Sequence, residues 1–212
     1  MRGGRWHKAY KNILEKKKIL RKIIKVRVSA ISPEERKKRE EILHNNLFSM
    51  PEFLAANTVM LFANLPDEIG TFSLIDKCFA MGKKVFLPVI NGDDMTVAEF
   101  TGEYRVGRYD IKEPVVKQPE ITSEASNFRN EELGIKDSVP EPVEGPEHFD
   151  FILVPGVGFS PNGYRLGRGK GFYDKFLSKH PLYAVGVCFR EQFYLDIPTE
   201  PHDIPMNKVL VI

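Results

Sequence analysis

The 212 residues are 42% hydrophobic, 28% charged and 11% aromatic, an ordinary globular composition that needs no disulfide or metal staple at this length. Apolar stretches such as 58–63 fall far below the roughly 18 residues of a membrane span, and the basic N-terminus has no secretory apolar core or cleavage site, which reads as an intracellular, cytoplasmic chain. The net charge of +2 conceals an asymmetry: residues 1–28 carry 11 Lys/Arg and one acid, Glu15, about +10, which leaves about −8 for the rest.

Residues 1–10, with Gly3-Gly4, read as a basic arm. Ile13, Leu14, Leu20, Ile24 and Val28 then recur at helical spacing between lysines and arginines. The basic face of this helix is either an anion-binding surface or a solvated one. Ser32-Pro33-Glu34-Glu35 marks the next helix start, with Ser32 as cap, Pro33 at the first position and Glu35 closing a capping box ahead of a helix reaching Phe48.

From Thr58 the pattern becomes an apolar strand (59–63), a polar turn (64–70), a helix (71–81) stopped at Gly82, and a second strand (85–88). Strands this uniformly apolar belong in a parallel sheet covered on both faces. Residues 112–149 are irregular, with Pro114, Pro119, Pro140, Pro142 and Pro146, and a long Pro-rich loop is expected over about 115–148. A strand at 151–154, a Gly-rich turn, a helix over 171–178 and strands at 183–188 and 209–212 complete the pattern. The expected fold is a single three-layer α/β domain over 1–212, with a mostly parallel sheet and helices on both faces. Cys78 and Cys188 form no metal-type cluster and read as buried free thiols.

The chemistry is concentrated in 150–177. After the strand, Gly167, Gly169 and Gly171 alternate with Arg168 and Lys170, so backbone N–H groups can close around phosphate oxygens while two cations reach over them. The spacing fits neither the Walker A loop nor G-x-G-x-x-G, which leaves a phosphate cradle and a plain structural turn both open. Placement after an apolar strand favours the cradle.

The runs Pro155-Gly156-Val157-Gly158-Phe159 and Gly163-Tyr164-Arg165-Leu166-Gly167-Arg168-Gly169-Lys170-Gly171-Phe172-Tyr173-Asp174 resemble the signature of the 5-formyltetrahydrofolate cyclo-ligase (methenyltetrahydrofolate synthetase) family. The likeness extends to Lys17-Lys18-Ile19-Leu20-Arg21, Glu68-Ile69-Gly70-Thr71, the segment 107–114, His202-Asp203 and Lys208-Val209-Leu210. It implies a NagB/RpiA/CoA transferase-like fold and ATP-dependent conversion of 5-formyltetrahydrofolate, with or without a polyglutamate tail, to 5,10-methenyltetrahydrofolate, with release of ADP and phosphate.

Carried over residue by residue, the resemblance implies that Lys17, Arg21 and the loop Arg165, Leu166, Gly167, Arg168, Gly169, Lys170, Gly171, Phe172 and Tyr173 bind ATP. Arg168 and Lys170 would be the catalytic cations, and Ala63, Glu68, Arg168, Phe172 and Tyr173 would bind the folate. Asp174 and Asp203 would hold Mg²⁺, whereas His202 reads as a loop histidine. Two positions depart from the pattern: Phe172 stands where the family often has Tyr, and Asn207 where it often has Asp. A non-catalytic nucleotide- or RNA-binding module is the competing reading. It would have no use for Glu68, Asp174 and Asp203 together, and the chain has no aromatic-rich RNA motif, so nucleic acid is not the expected partner.

Overall fold

A computed structural model describes residues 3–106, 112–117, 146, 148–180 and 182–212. In chain order the elements are α1 (Gly3–Ser29), α2 (Pro33–Phe48), α3 (Pro51–Ala55), β1 (Thr58–Met60), α4 (Phe72–Ala80), β2 (Lys84–Asn91), β3 (Asp94–Val106) and β4 (Lys112–Val116). After them come β5 (Phe151–Pro155), β6 (Gly158–Phe159), β7 (Arg165–Leu166), α5 (Phe172–Lys179), β8 (Ala184–Cys188), a 3₁₀ turn (Arg190–Gln192) and β9 (Lys208–Val211).

Seven strands form one sheet in the order β4-β3-β2-β1-β5-β8-β9. The five from β2 to β9 run parallel, while β3 and β4 extend the β2 edge antiparallel. Alternating residues feed two cores, as a strand with period 2 requires. Phe151, Leu153, Val185 and Val187 pack with residues of α1 to α4, namely Ile24, Leu43, Phe53 and Leu74. Ile152, Val154 and Cys188 face the other way, against Phe176 and Leu177 of α5 and Phe159 of the small β6-β7 hairpin. The expected three-layer fold is the one observed.

Several local expectations need correction. The arm is helical from Gly3: nothing from Arg5 to Tyr10 breaks a helix, and two glycines cost least within a first turn. Only half of the capping box forms. Ser32 Oγ accepts from Glu35 N–H at 3.2 Å, but the Glu35 carboxylate takes a hydrogen bond from Arg39 Nε at 2.8 Å instead of turning back to the cap. The Pro-rich loop starts later than expected, because Val115 and Val116 belong to β4, where Pro114 sits on an edge strand that tolerates a missing N–H; residues 118–145 lie outside the described residues. Among the described residues no helix is long and apolar enough to cross a membrane.

Candidate active site

The chain reverses its direction across the sheet between β1 and β5. From β1 it passes through α4 to β2 on one side, and from β5 through α5 to β8 on the other. Parallel α/β sheets open a crevice at such a switch point, outside the carboxyl ends of the strands. The loop after β1 supplies Phe62, Ala63, Leu65 and Glu68, and the segment after β5 supplies Gly156 and the 165–173 loop, around a cavity of about 380 Å³. Pro88 and Ile90 of β2, with Phe172 and Tyr173 at the start of α5, give it apolar walls.

A second cavity, of about 230 Å³, lies on the other side of the same loop. It is lined by Lys17 and Arg21 of α1, by Leu166, Gly169 and Asp174, and by Glu200, His202 and Asp203. Arg165, Gly167 and Gly171 line both cavities, so the glycine loop is their shared wall. Its course depends on glycine: Gly169 has φ +105° and Gly171, immediately before α5, has φ +68°. All sequence-predicted site residues therefore converge on two adjoining cavities, Ala63, Glu68, Arg168, Lys170, Phe172 and Tyr173 on the first and Lys17, Arg21, Leu166, Gly169, Asp174 and Asp203 on the second.

Most of the cations there already hold partners. Lys17 is buried, and its Nζ donates to Glu200 Oε2 at 2.7 Å and Asp203 Oδ2 at 2.8 Å. Burial works against its charge, but the two carboxylates outweigh it and raise the Lys17 pKa. Arg21 Nε donates to Gly167 O at 2.8 Å and so ties α1 to the loop; burial lowers its pKa, opposed by Asp203 and Glu200. Arg165 Nη2 donates to Asp174 Oδ2 at 2.7 Å, with its guanidinium carbon 5.4 Å from the Tyr173 ring centre. Arg168 Nη2 donates to Asp67 Oδ1 at 2.6 Å and Glu68 Oε1 at 2.9 Å. Lys170 Nζ, well exposed, is 3.5 Å from Asp93 Oδ1.

Two buried donors, Arg165 Nε on the shared wall and the Tyr173 hydroxyl beside the first cavity, have no hydrogen-bond partner among the described residues. Burial, with Glu68 nearby, pushes the Tyr173 phenol above its usual range, so it stays protonated and can donate. For a cation, Glu200, His202 and Asp203 offer ligand atoms within 4.8 Å of one another, and Asp174 lines the same cavity. Three carboxylates beside a cation-lined chamber fit Mg²⁺, which combines few carboxylates with phosphate oxygens and water. Sequence reasoning missed Glu200, Asp67 and Asp93. For Asp67 and Glu200 the only signal was adjacency to a motif: Asp67 precedes Glu68, and Glu200 precedes Asp203 by three residues, with its N–H donating to Asp203 Oδ2 at 2.8 Å, whereas Asp93, in the turn between β2 and β3, had no signal.

The fold and site define an α/β protein with two adjoining cavities on either side of one glycine loop. The family model for the 5-formyltetrahydrofolate cyclo-ligase family matches residues 13–212. The chain is 30% identical to a probable 5-formyltetrahydrofolate cyclo-ligase of Caenorhabditis elegans, covering 93% of each chain, and 27% identical to the 5-formyltetrahydrofolate cyclo-ligase of Mus musculus, covering 92% of each. Its structure is similar to the solution structure of 5,10-methenyltetrahydrofolate synthetase from Aquifex aeolicus, with a TM-score of 0.69 and 30% identity over 92% of this chain and 89% of that one. The chain belongs to the 5-formyltetrahydrofolate cyclo-ligase family.

Proposed function

We propose that this enzyme converts 5-formyltetrahydrofolate to 5,10-methenyltetrahydrofolate with ATP as co-substrate, releasing ADP and phosphate. The observation that carries the reading is the shared glycine wall, which puts an apolar cavity suited to a flat heterocycle within one loop's thickness of a cation- and carboxylate-lined chamber suited to a triphosphate. An N-formyl group is an amide, with a poorly electrophilic carbon and an oxygen that leaves poorly. Once the formyl oxygen accepts the γ-phosphoryl group and ADP leaves, N10 can attack the carbon, giving up its proton to solvent or to the departing group, and the oxygen leaves as phosphate. The protein's part is to position both ligands, neutralise charge and exclude water.

In this reading Glu68 accepts hydrogen bonds from the amino-pyrimidine edge of the pterin, while Phe172, Tyr173 and Ala63 pack against its rings. The Tyr173 hydroxyl, buried and unpaired, donates to substrate. Arg168 and Lys170 stabilise charge on the formyl oxygen and the transferring phosphoryl. Lys17, Arg21, Arg165 and the backbone N–H groups of 166–171 hold the phosphates. Asp174 and Asp203 would hold Mg²⁺, which when bound supplies neutralising charge to the phosphate oxygens. To take these roles Lys17, Arg165 and Arg168 exchange a carboxylate partner for a ligand oxygen.

Purified protein mixed with 5-formyltetrahydrofolate, Mg²⁺ and ATP should generate the conjugated amidinium product, seen as new near-ultraviolet absorbance, together with an equal amount of ADP. Folded protein that yields neither product would overturn the proposal.

A further inference from the structure

Arg168 is gripped from two sides by acids that are neighbours in the chain. Besides the bonds from Nη2 to Asp67 Oδ1 and to Glu68 Oε1, its Nη1 donates to Asp67 Oδ2 at 3.2 Å. Asp67 thus takes both arms of the fork, the geometry in which a carboxylate fixes the plane of a guanidinium, and Glu68 takes one.

The two acids do not stand in the same space. Glu68 lines the apolar cavity in front of Arg168. Asp67 lines a third, smaller chamber of about 140 Å³ behind it, between α1 and the 156–157 segment, with Lys25 and Gln192 on the same wall. Of the residues named here only Arg168 and Gly156 border both spaces. A ligand in the front cavity can therefore reach Glu68 and the guanidinium without reaching Asp67.

Each oxygen of Glu68 already accepts one hydrogen bond within the protein. Its Oε2 accepts from Leu65 N–H at 2.9 Å, its Oε1 is engaged by Arg168, and its side chain is only 10% exposed. Ligand donors that take the remaining lone pairs share this carboxylate with Arg168 Nη2 and weaken that bond, while the pairing with Asp67 is left as it was. The two bonds to Asp67 at the rear persist.

We infer that Asp67 is a positioning residue, which keeps Arg168 oriented on the cavity wall after substrate has claimed Glu68. The inference rests on the cyclo-ligase reading proposed above. A purely structural role fits the geometry poorly, because Arg168 and Asp67 are 45% and 39% exposed and ion pairs that open to water contribute little to folding. What the pair supplies is orientation, and a misplaced catalytic group costs on the order of 10²-fold in rate.

The test is steady-state kinetics of wild type, Asp67→Ala, Asp67→Asn, Arg168→Ala and the double variant Asp67→Ala/Arg168→Ala, with thermal unfolding of each. Asp67→Ala should lower kcat by roughly 30- to 100-fold while KM for 5-formyltetrahydrofolate stays within about threefold and the melting temperature is unchanged. Asp67→Asn, which retains one acceptor oxygen, should fall between. Glu68→Gln should show the opposite split, with the larger change in KM. The double variant should be no slower than Arg168→Ala alone, since Asp67 acts only through that side chain. Multiplied losses in the double variant, a normal kcat in Asp67→Ala, or a loss accompanied by a lowered melting temperature in both Asp67 variants would each overturn the assignment. Failure of the cyclo-ligase reading shows separately, as a wild-type protein inert toward this substrate, and takes the assignment with it.

Discussion

Replacing Lys17 by Met keeps the length of the side chain and deletes its charge. Lys17 is 6% exposed, and the side chains of Glu200 and Asp203, its partners at 2.7 and 2.8 Å, are each 9% exposed. The substitution leaves two carboxylates facing each other where water hardly reaches. Breaking a buried pair by removing one partner typically costs about 3–5 kcal/mol. Arg21, whose charge also interacts with both acids, offsets part of that, so the lower end, about 3 kcal/mol, is expected. At about 2–4 °C per kcal/mol for a chain of this size, the melting temperature should fall by roughly 6–12 °C.

The sign of the pH dependence follows from the raised Lys17 pKa. Stabilisation by the pair is complete below the ordinary lysine value of 10.5 and is lost as pH rises through the higher folded value, so the gap between wild type and variant should hold through neutral pH and narrow only in strong alkali. Thermal unfolding followed by circular dichroism, without nucleotide, measures this. Added Mg²⁺ should stabilise the variant more than wild type, because the two carboxylates are no longer occupied by an ammonium. A loss below about 2 °C at neutral pH would refute the reasoning, by showing that the carboxylates do not depend on Lys17.

Arg168→Ala and Lys170→Ala should each lower turnover by roughly 10²-fold with little change in melting temperature, as expected for the loss of one preorganised charge from an exposed loop; near-normal turnover would make the loop structural only. Asp174→Asn and Asp203→Asn should each need more Mg²⁺ for half-maximal activity at saturating ATP, while binding of 5-formyltetrahydrofolate without nucleotide stays near normal. Superimposed Mg²⁺ titrations would remove both carboxylates from the metal site. Burial pushes the Cys78 thiol up to about 11 and Cys188 up to about 12, so a disulfide reagent at pH 8 should react with native protein at least about 100-fold more slowly than with an ordinary thiol, and with both cysteines once urea unfolds the chain.

Elements whose local pattern and final environment agree were legible. The run 151–154 has no polar position, and all four side chains are fully buried between two helical layers. Ser32 reads as a cap from its neighbours alone, and it caps α2. The long β3 was not legible: Gly102 interrupts it, and its partners β2 and β4 include prolines, so its order comes from antiparallel pairing on both sides. The same division runs through the site. Alternating glycines and cations between 165 and 171 are a local signal. The acids that neutralise them are not, because Arg168 meets Asp67 across 101 residues and Lys17 meets Glu200 across 183. Such pairings exist only after the sheet has brought its carboxyl ends together.

The mutual pairing of those charges sets how ligands arrive. Five cations, Lys17, Arg21, Arg165, Arg168 and Lys170, stand among six acids, Asp67, Glu68, Asp93, Asp174, Glu200 and Asp203, so within this set the charges nearly cancel. The paired charges themselves give an approaching polyanion little attraction; what long-range attraction there is comes from the other lysines and arginines of α1, and salt should weaken it. Selectivity then rests on which molecule can replace three carboxylates at once, oxygen for oxygen, in the places where the fold has set them.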